Sequence, residues 1–327
     1  MGAVLSVLVM ALGGCSTAPG SGDPEPGAVP SPTADGTVAL PLDAYFPTRK
    51  AENTMSAAAD SFARSCLRRY GFAAEHPVIP EDSGIAIQLR EMKDALFVPE
   101  EQARRHGFHR PSGKSPQHVK GNTRPDAESV EKNRRELQAM LPVLNGWHRA
   151  QEAREAGRNV RPQKTYHGRR IPEYGCFGEA DTRLSAGLDQ PVPGNSPGGA
   201  QDAFNFVQRL RAHAAGAVAE EPRVVAVTKR WAKCYRKATG LSRANPYTAA
   251  RDPRWQRSSE PSAKEIHAAV AHTRCQLRVN FLGVVDALTV RHEKRAEARH
   301  RSRLRAVRDF HRARTRKAEQ VTHGRSG

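Results

Sequence analysis

The sequence predicts an all-α protein: an irregular, loop-rich helical domain stapled by disulfides, with a long C-terminal helix. Three observations carry that expectation. Apolar residues recur every three or four positions along several stretches, as at Met55, Ala59, Phe62, Cys66 and Tyr70. Helix start and stop signals bracket such stretches: Pro222 follows Glu220 and Glu221 at a start, and Gly71 and Gly240 stand at two stops. No run of alternating apolar residues is long enough to make a strand.

The first fifteen residues read as an address. Val4 to Leu12 is a nine-residue run without charge, and it leads into Leu12-Gly13-Gly14-Cys15. That run is too short to span a bilayer, which takes about 20 apolar residues. Its form is that of a bacterial lipoprotein signal peptide over residues 1–14, in which small residues let a peptidase cut before Cys15, the residue that then carries lipid. One feature departs from the pattern, since no Lys or Arg precedes the apolar run. Residues 15–40 are the lipidated Cys and a tether carrying Pro19, Pro24, Pro26, Pro30 and Pro32 among small residues. Such a composition cannot bury a core and is expected to be disordered. At about 3 Å per residue it reaches roughly 75 Å.

The remainder divides into a helical domain over 41–290 and a basic helical tail over 291–327. Past Cys15 the most apolar segment, Phe281 to Leu288, is eight residues long and contains Asp286, so nothing there spans a membrane. The expected location is the outer face of the cell membrane, held by lipid. Cys66, Cys176, Cys234 and Cys275 are then four thiols in an oxidising compartment, with no C-x-x-C or zinc spacing. Two disulfides are expected. Three pairings are open; Cys234–Cys275 is favoured because its cysteines lie on helices adjacent in sequence, which leaves Cys66–Cys176.

Taken in order, Leu40-Pro41-Leu42 opens the folded part, and Ala51 to Tyr70 is the first helix. Prolines break Phe72 to Arg124, where Ala86 to Leu96 has helical content and Pro99-Glu100-Glu101 starts a short helix that stops before Gly107. A longer helix follows Pro125, kinked or broken by Pro142 and ended by Gly146. Trp147 to Ala156 is a further helical stretch, Arg158 to Tyr174 is irregular, and Gly175 to Gly178 is a turn before a short helix through Leu184 to Leu188. Asp189 to Ala200 is a loop. Phe204, Val207 and Leu210 mark one helix; Val224, Val227, Trp231 and Ala238 mark the next. Leu241 to Pro261 is a loop with Tyr247 and Trp255 as packing anchors. Ser262 and Glu265 form a capping box for a last helix that buries Ile266, Val270, Thr273, Leu277, Phe281, Val284 and Leu288, its pattern running on to about Lys317.

Several short motifs along this path form a set: Pro41-Leu42-Asp43-Ala44-Tyr45, Arg68-Arg69-Tyr70-Gly71-Phe72, Gly107-Phe108-His109, Ile171 to Ala180, Trp231-Ala232-Lys233-Cys234, and Asp252-Pro253-Arg254-Trp255. In these the chain resembles uncharacterised actinobacterial lipoproteins. The resemblance implies a secreted, lipid-anchored protein and supports location and fold. It implies no site residues.

The polar residues offer several partial motifs. H-E-x-x-H is absent; His106 and His109 flank a Gly turn, and His267 and His272 point about 140° apart on a helix. These are expected as surface histidines, with no metal and no cofactor. Cys176, with His167 and Glu179 near it in sequence, has the ingredients of an activated nucleophile, but a disulfide accounts for it better. Gly194 to Gly198 fits G-x-S-x-G without a preceding strand, and Ser129 to Lys132 fits S-x-x-K without its companion motifs. Gly113-Lys114-Ser115 is no phosphate loop, because the spacing from Gly107 is wrong. Glu173, Glu179 and Asp181 could pair as hydrolytic carboxylates, yet helix-start acids explain them. Trp231 reads as core, and Trp255 divides evenly between core and a binding groove. No catalytic residues are expected.

Charge is the remaining signal. The chain carries net +18, and between Arg291 and Lys317 there are twelve Lys/Arg against three acids, half of that total. Arg291, Arg295 and Arg299 share one helical face; Arg301, Arg305, Arg308, Arg312 and Arg316 share another. Such stripes suit polyanions, and on the outer face of a membrane the partners expected are anionic lipids or envelope phosphate polymers. The bland alternative is a frayed, solvated tail with Leu304, Val307 and Phe310 alone left to pack. The expected role is cell-envelope binding or scaffolding. Its rivals are an envelope hydrolase, which needs a titratable pair converging in a pocket, and a nucleic-acid-binding protein, which fits a pI of 10.3 but conflicts with export.

Overall fold

The computed structural model describes residues 38–73, 78–79, 98–109, 127–258 and 260–323. The signal, Cys15 and most of the tether lie outside them, as do Ala86 to Leu96 and Gly113-Lys114-Ser115. Among the described residues the chain forms eleven α-helices, three 3-10 turns and one hairpin of two-residue strands. The fold is all-α, as expected.

The folded part opens with a 3-10 turn at Pro41–Tyr45, and Leu40 before it is already buried. Helix α1 is Arg49–Arg68, capped by Thr48 Oγ1, which accepts the Ala51 N–H at 3.2 Å. Its buried residues, Ala58, Ala63, Cys66 and Leu67 among them, exceed one stripe because three other helices pack around it. Helix α2, Glu100–His106, ends at Gly107, as the charges around it predict. Helix α3, Ala127–Asn145, runs through Pro142 without breaking. Pro142 lies in the last turn, so it removes one backbone hydrogen bond close to where the helix ends at Gly146 (φ 72°).

Helix α4 is His148–Glu155. The irregular stretch after it holds the hairpin, with β1 at Thr165–Tyr166 and β2 at Arg169–Arg170 paired antiparallel. His167 and Gly168, both at positive φ, make its turn. Helix α5, Gly175–Ser185, takes in the Gly-Cys-Phe-Gly segment that the sequence suggested as a turn. Backbone contact explains that placement. A Cβ on Gly175 would lie 2.3 Å from the Leu144 carbonyl oxygen, and one on Gly146 would lie 2.2 Å from that of Glu173. Two glycines thus let the α3 terminus meet the α5 start, and the Glu173 carbonyl accepts from both Trp147 and His148 N–H at 2.9 Å.

Helices α6 (Ala200–Glu220) and α7 (Pro222–Thr239) follow the sequence signals, with Gly240 in the left-handed conformation closing α7. The loop after α7 contains the short helix α8 (Pro246–Ala250) and a 3-10 turn at Pro253–Gln256. Trp255 is buried there, but Tyr247 is exposed and stacks under the Arg251 guanidinium instead of anchoring the loop.

The pattern after Ser262 is divided among three helices, α9 (Ala263–Val279), α10 (Phe281–Arg299) and α11 (Arg301–His323), the last being the long C-terminal helix expected. Asn280 (φ 51°, ψ 46°) and His300 (φ −115°, ψ 21°) turn the chain between them. Along α9 the expected stripe holds at Thr273, which is fully buried, and fails at Leu277, which is 44% exposed while His272 and Gln276 are fully buried. Helix α9 packs on both α7 and α2, so its buried surface is wider than one face and includes polar side chains.

The disulfides join Cys66 to Cys176 and Cys234 to Cys275, with Cα separations of 5.6 and 5.8 Å. This is the favoured pairing. Each sits in its own apolar cluster, the first with Leu67, Val143 and Ile171, the second with Val227, Trp231 and Tyr235. A third cluster has no disulfide. It joins the chain's described ends, packing Leu42 and Tyr45 with Phe206 of α6 and with Leu304, Val307 and Phe310 of α11.

Candidate polyanion-binding face

Helix α11 is split lengthwise by chemistry. Leu304, Val307, Phe310, His311, Arg314 and Ala318 are buried, three residues more than the sequence left available for packing. Arg314 donates to Asp181 of α5, stacks against Phe310 and is 5% exposed, so it belongs to the packed side. Burial raises the Asp181 carboxyl above its usual range, with the Arg314 guanidinium pulling the other way. Lys317 reaches the Ala186 carbonyl. The C-terminal helix is therefore a core element.

Its other side carries the expected stripe. Arg301, Arg305, Arg312 and Arg316 are exposed and Arg308 is half-buried. At 100° per residue the five lie within an arc of about 80°, centred roughly 130° from the middle of the buried side. Asp309 is the only carboxylate paired with any of them among the described residues, at 3.8 Å from Arg308 and 3.9 Å from Arg312. Contacts that long at the surface contribute little. The stripe presents almost unneutralised charge.

The neighbouring stripe fares differently. Arg291 and His292 both donate to Glu221, holding its carboxyl below the usual range, His292 foremost. Arg299 Nε donates to the Arg295 carbonyl at 3.3 Å.

At its edge the α11 stripe borders a cavity of about 350 Å³. Arg308, Arg312 and Arg316 form one wall, and Tyr45, Phe46 and Thr48, where the 3-10 turn passes into α1, form the other. His311 also lines it; that ring is 9% exposed and its Nε2 meets no hydrogen-bond partner in the protein. Burial, with Arg314 nearby, pushes the His311 pKa down to about 4. The one carboxylate at the cavity is Glu319.

What fixes that wall is a buried ionic junction absent from the sequence reading. Glu293, fully buried on α10, accepts the Leu42 N–H at 2.9 Å and Arg211 Nε at 3.3 Å. Arg211 also donates to Asp43 at 2.6 Å, and Tyr45 Oη donates to Glu297 at 2.6 Å. The Pro41 to Tyr45 motif is thus the seat of the N-terminal turn on α6 and α10. Glu265 does a similar task elsewhere. Ser262 caps α9 as expected, but the Glu265 carboxylate turns away to accept the Phe108 N–H at 2.9 Å and face His109 at 3.3 Å.

The remaining candidates disperse. Cys176 is tied to Cys66, Glu179 pairs with Arg69 and Arg183, and Glu173 lies 2.9 Å from His148. These carboxylates do not converge. Ser196 Oγ donates to Asp202 at 2.6 Å, ahead of α6. Trp231 is fully buried, and Trp255 donates its indole N–H to the Ala249 carbonyl at 2.8 Å, which decides for core. His272, expected at the surface, is fully buried among Trp231 and Phe108. Among the described residues no group of three or more His, Cys, Asp or Glu could hold a metal ion, and no helix is long and apolar enough to cross a membrane. No family model, no curated protein and no solved structure matches this chain.

Proposed function

We propose that this protein is a lipid-anchored binding or scaffolding protein of the outer membrane face, and that α11 engages phosphate-bearing partners there: anionic lipid headgroups or envelope phosphate polymers. The observation that carries this reading is the five-arginine stripe on a helix whose opposite side is locked into the core. A stripe held rigidly along one line meets a polyanion without first being ordered, which a frayed tail would have to be. Near an anionic surface each Arg adds about 1 kcal/mol, within a Debye length of about 8 Å. The lipobox at Cys15 and the roughly 75 Å reach of the tether fit this role. The two disulfides suit an oxidising compartment.

Cell fractionation tests it. Wild-type protein is expected in the membrane fraction at low and high salt alike, because lipid insertion is insensitive to screening. Cys15→Ala is expected to leave that fraction in high salt, and to remain partly associated in low salt through α11. Retention of Cys15→Ala in high salt would remove the lipid anchor from the proposal.

A further inference from the structure

We propose that the cavity between α11 and the start of α1 is a binding site for a phosphate monoester group, and this rests on the polyanion reading of α11. Three features of the walls point to that chemistry. Arg308, Arg312 and Arg316 line one wall of the cavity, and guanidinium forks match phosphate oxygens bidentately. With Glu319 counted, the three arginines leave the cavity a charge of about +2, which a phosphate monoester, at about −1.5 to −2 near neutral pH, matches better than a carboxylate does. Opposite them is the N-terminal end of the twenty-residue α1, whose dipole favours an anion.

A second, independent observation comes from the buried side of the cavity. His311 Nε2 and Arg308 Nε are both buried, and neither has a hydrogen-bond partner in the protein. Buried nitrogens of this kind are nearly always partnered in folded proteins. A phosphate drawn in by a small side-chain shift gives Arg308 Nε an acceptor, and gives one to His311 Nε2 in the tautomer that carries its proton there. Phe46, Pro47, Ala44 and Ala51 give the cavity an apolar margin, which suits the carbon side of an ester. The cavity volume lies within the usual range for small-ligand sites, about 300 to 1,000 Å³. The group could arrive on a lipid headgroup or on a soluble phosphorylated compound, and the chemistry recognised is the same.

The test uses the full chain with Cys15→Ser, so that lipid does not hold it on vesicles. Phenyl phosphate and inorganic phosphate are titrated at fixed ionic strength, with His311 ring resonances and affinity as readouts. Vesicles of neutral lipid with phosphatidic acid form a second arm, and vesicles with phosphatidylglycerol, a diester, a third. Two double variants are compared, Arg312→Gln with Arg316→Gln at the cavity, and Arg301→Gln with Arg305→Gln on the same stripe beyond it. Both remove two exposed charges. The proposal expects the phosphate compounds to shift the His311 signals, and the cavity pair to weaken phenyl phosphate binding about tenfold or more while the other pair changes it little.

Preference for phosphatidic acid over phosphatidylglycerol, with phenyl phosphate competing, would assign the site to lipid headgroups. Soluble binding without that preference would assign it to dissolved phosphate compounds. Equal weakening by both pairs, or an unmoved His311 signal, overturns the site and leaves diffuse charge on the stripe. Vesicle binding without any phosphate binding likewise overturns the site alone. Loss of both kinds of binding would remove the polyanion reading as well.

Discussion

His311 is where burial and basicity conflict most openly. Its ring is buried beside Arg314, and its pKa falls from the ordinary 6.5 to about 4. The sign follows directly. An unfolded chain takes up a proton at this residue near pH 6.5, while the folded chain resists it until about pH 4. His311 therefore costs no stability above pH 6.5 and progressively more as pH falls toward 4, to about 3 kcal/mol in all. Across that window wild type should lose about 3 kcal/mol of unfolding free energy relative to His311→Gln as pH falls, read from denaturant midpoints. A constant separation would contradict the burial of the ring. Sequence periodicity could not have found this residue, because a His in an Arg-rich helix reads as solvated. The same holds for Arg314 and Glu293, since apolar spacing marks buried carbon and says nothing about buried charge. Trp231 was legible, being large, apolar and in register with Val227.

At the scale of elements, cysteines and terminators carried the most information. Pro222 and Gly240 bound α7 as read, and of the three open disulfide pairings the one favoured by helices adjacent in sequence is the one formed. The break at Asn280 was hidden, because an apolar pattern continues across it while the backbone turns left-handed at one residue. On the chain-entropy model the bridges close loops spanning separations of 41 and 110 residues, worth about 4 and about 5 kcal/mol. Cys234→Ser with Cys275→Ser, and separately Cys66→Ser with Cys176→Ser, should lower unfolding free energy by roughly those amounts in denaturant titrations. Unchanged midpoints would mean that the bridges do not constrain the unfolded chain. The junction at Glu293 makes a sharper demand. Glu293→Ala leaves the Leu42 N–H without its buried acceptor and Arg211 with Asp43 alone, which should cost about 1.5 to 3 kcal/mol. Loss of that size should also expose the N-terminal turn to protease cleavage near Tyr45, and an unaltered cleavage pattern would count against the junction as its anchor.

For the whole molecule, α11 joins two tasks that the sequence kept apart. It closes the third core cluster on Leu42 and Phe206 while holding five arginines outward. Cutting the chain at Val290 would therefore strip Leu304, Val307 and Phe310 from the core and confuse lost folding with lost binding. Exposed charge can be removed without that damage. Full chain carrying Cys15→Ser, with and without Arg301→Gln, Arg305→Gln, Arg312→Gln and Arg316→Gln, can be compared on anionic and neutral vesicles at two salt concentrations. Wild-type stripe binding should be confined to anionic vesicles, fall steeply with salt, and drop by about 4 kcal/mol, or roughly a thousandfold, in the four-residue variant. Equal binding by both proteins at both salt concentrations would contradict a role for α11 in holding polyanions.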